Sequence, residues 1–428
     1  MKFRIENVGK VQFAEIELNG LTVLTGENSI GKSAIGKAIF SLVKSRNGVI
    51  ERFDEDTLYD VTEFLSEMSL MIQSDEKYQV NRISIPTGYI LSVLSESKII
   101  KPLIGNTIIQ ESISTLNKFI ETLSEEGAVK EKAMKYVKLT QQKLDKFTDE
   151  EKLLVKNFNH LLQHVFRNEF NNKLAPEKSA YLSLFFSEKK INLVEVKNNE
   201  SISFKAELFM PLRDATIVES PIVATLFSFI RNSMAFGLGR NQSLTYKGLP
   251  YYIFDLMEKL SRANGKIANK EVFESIAGVI GGEVAFDRLG NNFTFTDDTS
   301  NSYSILNTAS GIKTFGLLQL LLSANCLYKQ SLLIIDEPEV HLHPLWQLEY
   351  AKILVQLAKA GVPILLASHS PYFIEALKIY SDKEIPEKTK FYFGEMQEKG
   401  SVFKDVTSDL EPIFELLATP MQKLIIEK

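Results

Sequence analysis

The chain of 428 residues has one cysteine, Cys326, so it can form no internal disulfide and fits a reducing compartment. It also has no long apolar run. The most apolar stretches, residues 332–335 and 364–367, fall far short of the roughly 20 residues that span a bilayer. Nor is there an excess of positive charge. Against 54 Asp and Glu stand 49 Lys and Arg, a net charge of -5, so no global basic field marks a nucleic-acid binder, although a local patch stays open. The first residues, Met1-Lys2-Phe3-Arg4-Ile5, run straight into an apparent strand, without the charged, apolar and small-residue regions of a signal peptide. There is no internal repeat and no low-complexity linker. The expectation is a cytoplasmic protein without a membrane segment. With 44% hydrophobic and 24% charged residues, its composition is that of a globular chain long enough for more than one domain.

The two ends of the chain carry matching patterns. Residues 2–6 and 11–18 alternate apolar and polar positions around Gly9, as half-buried strands do, and residues 21–25 form a short buried strand. A glycine-rich loop follows, and then helical apolar spacing over 33–43. Near the other end, buried strands at 331–335 and 362–368 alternate with helices at 342–360 and 372–377, and a further strand and helix are expected at 390–393 and 410–417. Strands separated by helices imply a parallel sheet covered on both faces. Between the two ends lie roughly 250 residues of different character. Ile113, Leu116, Phe119, Ile120 and Leu123 recur at helical spacing, and the chain to Phe170 is rich in Lys, Glu and Leu, which predicts two or three long helices with room for a hairpin arm. Residues 130–156 hold eight lysines against five acids, most simply a solvated helix face. Beyond Pro176, residues 191–196 and 201–209 read as a hairpin, and Gly281-Gly282 and Gly290 punctuate another β-rich stretch ending near Ile305. The expected divisions are 1–46 and 305–428 as two lobes of one domain, 47–175 as a helical insertion and 176–304 as an α+β insertion.

Gly26-Glu27-Asn28-Ser29-Ile30-Gly31-Lys32-Ser33 fits G-x-x-x-x-G-K-[ST], with Ala34 following in the helix. Its glycines let backbone N–H groups converge on an anion, and the helix start adds positive potential. Lys32 would reach the β- and γ-phosphates of ATP, and the Ser33 hydroxyl would ligate Mg²⁺. The motif lies between an expected strand and an expected helix, which a chance match would not require. Downstream, Leu332-Leu333-Ile334-Ile335 ends in Asp336-Glu337. A buried strand would deliver both carboxylates to the sheet edge beside the phosphate loop, Asp336 toward Mg²⁺ and Glu337 as general base for the attacking water. Without the phosphate loop, the same pair would read as solvated acids.

Three of the five histidines fall in two further segments, Pro338-Glu339-Val340-His341-Leu342-His343-Pro344 and Ala367-Ser368-His369-Ser370-Pro371. Upstream lies Asn307-Thr308-Ala309-Ser310-Gly311-Ile312-Lys313. A zinc site is not expected, because His341 and His343 are two apart with no third ligand at helical spacing. Ser310 and Gly311 could form a small anion-binding nest or an ordinary helix cap, and His369 could face a phosphate or be structural.

The order phosphate loop, signature, acidic pair, D-loop, switch histidine resembles ABC-type ATPases of the RecF, SMC and OLD-like branch. The resemblance covers residues 1–46 and 305–380. It implies an α/β fold, an ABC-type P-loop NTPase head with a mixed sheet and covering helices, and a large α-helical plus β insertion between phosphate loop and signature. It further implies that His369 contacts the γ-phosphate. By the same resemblance, Ser310 and Gly311 bind the nucleotide of a second subunit, and Glu339, His341 and His343 form the D-loop at that dimer interface. The signature reads Ala-Ser-Gly-Ile-Lys, unlike the Leu-Ser-Gly-Gly-Gln of transporters, and Lys313 has no assigned role. Gln73 is the candidate for the family's magnesium-sensing glutamine.

Such an ATPase would be a clamp, with ATP and Mg²⁺ as cofactors and a head-to-head homodimer or higher homo-oligomer as its form. The residues after the last family helix contain no D-x-D of a Toprim nuclease. The chain therefore resembles the stand-alone ATPases of two-gene anti-phage systems, PtuA-like or AriA-like, whose effector, such as a nuclease, is a separate protein. A RecF/SMC-like DNA-repair ATPase that binds DNA and a slow-turnover assembly scaffold are the alternatives.

Overall fold

The computed structural model describes residues 1–47, 150–207, 209–236, 249–263, 269–288 and 292–417, with isolated positions 131, 134, 135, 138, 267 and 290. The chain forms two compact units, one of Met1–Lys44 with Phe158–Lys428, the other of Ser45–Asn157. The expected helical arm and Gln73 fall largely or wholly outside the described residues. Of the second unit, the end of α1 (Lys32–Asn47) and the start of α2 (Glu150–Phe166) are described, and Asn157 Nδ2 donates to the Ser45 carbonyl at 3.4 Å.

The first unit is built on one mixed sheet. β1 (Lys2–Val8) and β2 (Val11–Glu17) pair antiparallel, with Val8 opposite Val11 across a turn that places Gly9 at φ 58°. Their alternation has a structural cause, since Phe3, Ile5, Ala14 and Ile16 enter the core while their immediate neighbours do not. β4 (Ala180–Phe186), β5 (Lys189–Lys197) and β6 (Glu200–Ala206) extend this antiparallel layer from the free edge of β1. The hairpin expected at 191–209 is thus β5–β6, and its turn residues Asn198 and Asn199 take left-handed backbone angles.

β3 (Leu21–Gly26) is buried along its whole length. On one side it pairs parallel with β13 (Thr389–Gln397) and on the other with β12 (Ile364–Ala367). β11 (Ser331–Asp336) follows β12, and β7 (Asp214–Val218) closes that edge, both parallel. β14 (Gly400–Asp405) joins the halves, antiparallel to β13 and parallel to β2. The full order is β6-β5-β4-β1-β2-β14-β13-β3-β12-β11-β7. Continuous apolar runs fit strands covered on both faces, and the polar groups that intrude are paired. Thr22 Oγ1 donates to the Glu17 carbonyl at 2.8 Å and Thr25 Oγ1 to the Tyr392 carbonyl at 3.1 Å.

Elements from residues 176–304 divide between these layers. β4–β6 belong to the antiparallel half and β7 to the parallel half. β8 (Gly282–Asp287), β9 (Asn292–Asp297) and β10 (Ser302–Ser304) form a separate three-stranded sheet. A large core gathers α3 (Ile222–Phe236), α4 (Tyr251–Ser261), α5 (Lys270–Ile280), α6 (Ser310–Ser323), α7 (Pro344–Lys359) and α8 (Pro371–Glu384). Gln319 of α6 ties the small sheet to that core, accepting from the Val284 amide at 2.8 Å and donating to the Gly282 carbonyl at 3.3 Å.

A buried square of charge holds α1 against β7 and α4. Lys44 lies 2.5 Å from Asp214 and 2.6 Å from Asp255, and Lys259 lies 2.7 Å and 2.8 Å from the same two carboxylates. Lys259 also donates to the Ala215 carbonyl and Thr216 Oγ1. Two cations and two anions alternate, so the cluster is neutral as a whole and each buried charge has partners.

Candidate nucleotide site

The C-terminal edge of the parallel strands carries the site, because β3, β11 and β12 all end there and helices start from their loops. After β3, the phosphate loop needs its glycines for measurable reasons. Gly26 sits at φ 132° and Gly31 at φ 105°, and a Cβ on Gly31 would stand 2.6 Å from Val11 Cγ2. A Cβ on Gly26 would collide with Ile30 Cδ1 and the Gly394 carbonyl. Ser29 is also left-handed, at φ 65°. Glu27, Asn28 and Ser29 are exposed, Ile30 is buried and anchors the loop, and Ala34 is half-buried in α1.

Lys32, the first residue of α1, is 5% exposed and donates to the carbonyls of Gly26 at 3.2 Å and Glu27 at 2.8 Å. It makes no ion pair among the described residues. Burial lowers its pKa to about 8, against the opposing pull of Glu337, Asp336 and Glu339. A buried ammonium whose hydrogen bonds go to loop carbonyls, with no carboxylate in contact among the described residues, keeps a charge that an anion could neutralise.

Asp336 ends β11. Burial raises its pKa, a hydrogen bond with Ser33 opposes this, and Glu219 and Glu337 raise it further. Its Oδ1 is buried and accepts no hydrogen bond. An orphaned carboxylate oxygen, a serine hydroxyl and neighbouring acids are hard oxygen donors short of a cation, so the residues fit Mg²⁺. Ser33 and Asp336 are the residues that would hold it.

Glu337 adopts φ 48°, a left-handed angle that a non-glycine residue reaches at a cost, and its amide donates to the Ala367 carbonyl at 2.9 Å. In this position its Oε1 lies 3.0 Å from His369 Nε2. Burial lowers the His369 pKa and Lys32 adds to the effect, while Glu337 and Glu339 oppose it. The phosphate loop, the acidic pair and the switch histidine thus converge.

The D-loop residues divide in a way that the resemblance did not imply. Glu339 does not face outward. It is 7% exposed, and its Oε1 accepts from Ser368 Oγ at 2.7 Å, the His369 amide at 2.8 Å and the Ser370 amide at 3.1 Å. His341 and His343 are exposed. The His343 imidazole caps α7, its Nδ1 accepting from the Leu345 amide at 3.3 Å. Among the described residues no group of three metal-ligating side chains occurs.

Ser310 opens α6 as its first helical residue, behind Ala309, which offers no side-chain cap. Ser310 is therefore not the helix cap; its hydroxyl donates to the His341 carbonyl at 3.3 Å and joins signature to D-loop. Gly311 has a packing reason of its own, because a Cβ there would run into the Trp346 ring.

Sequence reasoning missed Glu219. β7 pairs with β11 so that Val218 faces Ile335, which places Glu219 level with Asp336. Lys37 lies 2.8 Å from it and Tyr252 Oη donates to it at 2.7 Å. The only signal was a short apolar run at 215–218 ending in an acid, too brief to separate from its surroundings.

A family profile described as an AAA ATPase domain matches residues 1–374. No curated protein matches the sequence. Among solved structures, the chain is similar to an SMC head domain from Thermotoga maritima, at 10% identity and TM-score 0.41, covering 95% of this chain and 98% of that one. It is also similar to an SMC head from Pyrococcus furiosus bound to the C-terminal domain of ScpA, at 10% identity and TM-score 0.34, covering 98% of both. A nucleotide-free ATP-binding cassette from an ABC transporter aligns at 10% identity and TM-score 0.34, covering 98% and 96%. None of these three likenesses reaches a TM-score of 0.5, so the profile carries the assignment. It spans the phosphate loop, the acidic pair and the switch histidine, and the chain belongs to the AAA ATPase domain family.

Proposed function

We propose that the protein is a Mg²⁺-dependent ATP hydrolase whose ATP-driven head dimerisation acts as a molecular switch. The observation that carries this reading is the contact of Glu337 with His369 at the sheet edge that also holds buried Lys32. In the reaction, the Lys32 ammonium leaves its loop carbonyls for the β- and γ-phosphates. Mg²⁺ held by Ser33 and Asp336 would supply charge neutralisation at the phosphates. Glu337 accepts a proton from the attacking water, and His369 donates a hydrogen bond to a γ-phosphate oxygen. The water oxygen bonds to the γ-phosphorus as the bond to the β–γ bridging oxygen breaks, and ADP and phosphate leave.

A second copy of the chain would complete the site, with its Ser310 and Gly311 meeting the γ-phosphate. Support comes from the uncapped start of α6 and from exposed apolar residues around the helix starts at this edge. Leu306, Val340, Leu345 and Tyr372 are 52%, 63%, 61% and 68% exposed. Large apolar side chains left exposed near these helix starts suit a partner surface. No helix among the described residues is long and apolar enough to cross a membrane. In this reading the switch serves a bacterial anti-phage system in the cytoplasm, acting on a separate effector such as a nuclease.

The test is phosphate release measured alone, with DNA, and with the product of a neighbouring gene, alongside sedimentation with and without ATP. Hydrolysis coupled to an ATP-dependent dimer and stimulated by the neighbouring product supports the reading. Stimulation by DNA alone with a steep salt dependence would move the protein to repair, and slow turnover throughout would make it a scaffold.

A further inference from the structure

We propose that Glu339 is a positioning residue that sets the His369 imidazole by gripping the backbone of residues 368–370, so that the 338–343 segment and the switch histidine move as one body. The proposal rests on reading His369 as the γ-phosphate contact. It departs from the sequence expectation, which placed Glu339 itself at a subunit interface.

One carboxylate oxygen gathers three donors from three consecutive residues, the Ser368 hydroxyl and the His369 and Ser370 amides. Hydrogen bonds to an ionised acceptor are the strong kind, and these three converge where the chain leaves β12. The loop is held from a second side. Ser370 Oγ accepts from the Phe373 amide at 3.3 Å, capping α8, and donates to Gln347 Oε1 at 2.9 Å. Gln347 Nε2 returns to the Glu339 and Leu342 carbonyls at 3.4 Å and 3.2 Å. Glu339, Ser370 and Gln347 therefore close a ring that joins the 338–343 segment, the start of α7 and the start of α8.

The outer side of the same short 3₁₀ turn (Pro338–His341) is available. Val340 is 63% exposed, His341 is exposed, and the His341 carbonyl takes the Ser310 hydroxyl. A body docking on Val340 and His341 would displace a turn that carries Glu339, and Glu339 would carry the displacement to the His369 backbone. A misplacement of about 1 Å at a catalytic group costs on the order of 10²-fold in rate.

The test uses E339A, E339Q, H369A and the double variant E339A/H369A in the full chain. E339A should lower kcat for ATP by about 10²-fold while nucleotide affinity stays within about threefold, since Glu339 makes no ion pair with Lys32 and has the smallest effect of the three acids that act on it. E339Q keeps an acceptor oxygen without the charge and should lose only about five- to tenfold. The double variant should be no slower than H369A alone, because both changes remove one function. Independently of turnover, hydrogen exchange at the His369 and Ser370 amides should quicken at least about tenfold in E339A, with β3 amides unchanged. Wild-type turnover in E339A, multiplying losses in the double variant, or unchanged exchange at residues 369–370 would each overturn the proposal. If E339A does not fold, wild-type turnover and exchange in E339Q overturn it equally. Absence of hydrolysis in the wild type would defeat the ATPase reading instead, while the exchange experiment would still report on the grip of Glu339.

Discussion

Two buried lysines on one helix differ in what surrounds their charge. Lys32 begins α1 and Lys44 lies toward its end, and both are 5% exposed. Lys44 touches two carboxylates, which overcome the burial that would lower its pKa and drive it upward. Lys32 bonds only to carbonyls, and burial brings its pKa down to about 8. The same residue type is thus compensated by carboxylates where it holds α1 to β7 and α4, and left to carbonyl partners at the phosphate loop. Burial penalises both charges, and only at Lys44 do carboxylates in contact oppose the penalty.

That contrast can be broken most decisively at Lys32. Lys32→Ala should weaken ATP binding by about 10³-fold, roughly 4 kcal/mol, in a titration with labelled nucleotide, while the nucleotide-free protein melts no lower than wild type. Lys44→Ala should do the reverse. Leaving Asp214 and Asp255 with one cation fewer should cost about 3–5 kcal/mol in denaturant unfolding, with near-normal ATP affinity in whatever remains folded. Replacing the pair together, Lys44→Met with Asp255→Leu, should cost less than the sum of the single changes.

The next effects sharpen the chemistry. Glu337→Gln should bind ATP but lose about 10²-fold in turnover and accumulate a dimer in sedimentation, since it keeps the shape and loses the base. A monomer at every ATP concentration would count against a shared site. Ser310→Arg should leave binding in place and block turnover.

The smallest effect is pH dependence. Lys32 has a folded pKa below its unfolded value, so between about 8 and 10.5 the unfolded chain holds the proton that the folded chain has released. Stability of the nucleotide-free protein should therefore gain from this group as pH rises through that window. ATP affinity should fall over the same window, by up to about tenfold per pH unit, as the ammonium loses its charge. Lys44 has the opposite sign. Its contribution is present below the unfolded lysine value and is lost only above it.

How much of this was legible differs from residue to residue. Gly26, Gly31, Lys32 and Ser33 could be read because their task is local, a loop between one strand and one helix. The placement of Asp336 and His369 at one sheet edge was legible because Asp336 ends one short apolar run and His369 lies two residues beyond another. Glu219 could not, since its place beside Asp336 depends on the pairing of β7 with β11 across more than a hundred residues. Glu339 was singled out by its motif, but its burial against residues 368–370 was not legible, because a motif carries spacing and no side-chain direction. The charge square draws on residues 44, 214, 255 and 259, of which only 255 and 259 share a helical spacing; no periodicity links that pair to 44 or 214.

The amino-acid sequence by itself determined the phosphate loop, the buried strands and the acids and histidine at their ends, because steric limits at glycine and hydrophobic periodicity act over a few residues. Only the tertiary structure decided which buried charges have partners and which do not. That distinction is set by strand order and helix packing, which bring distant carboxylates to Lys44 and leave Lys32 bonded to the carbonyls of its own loop.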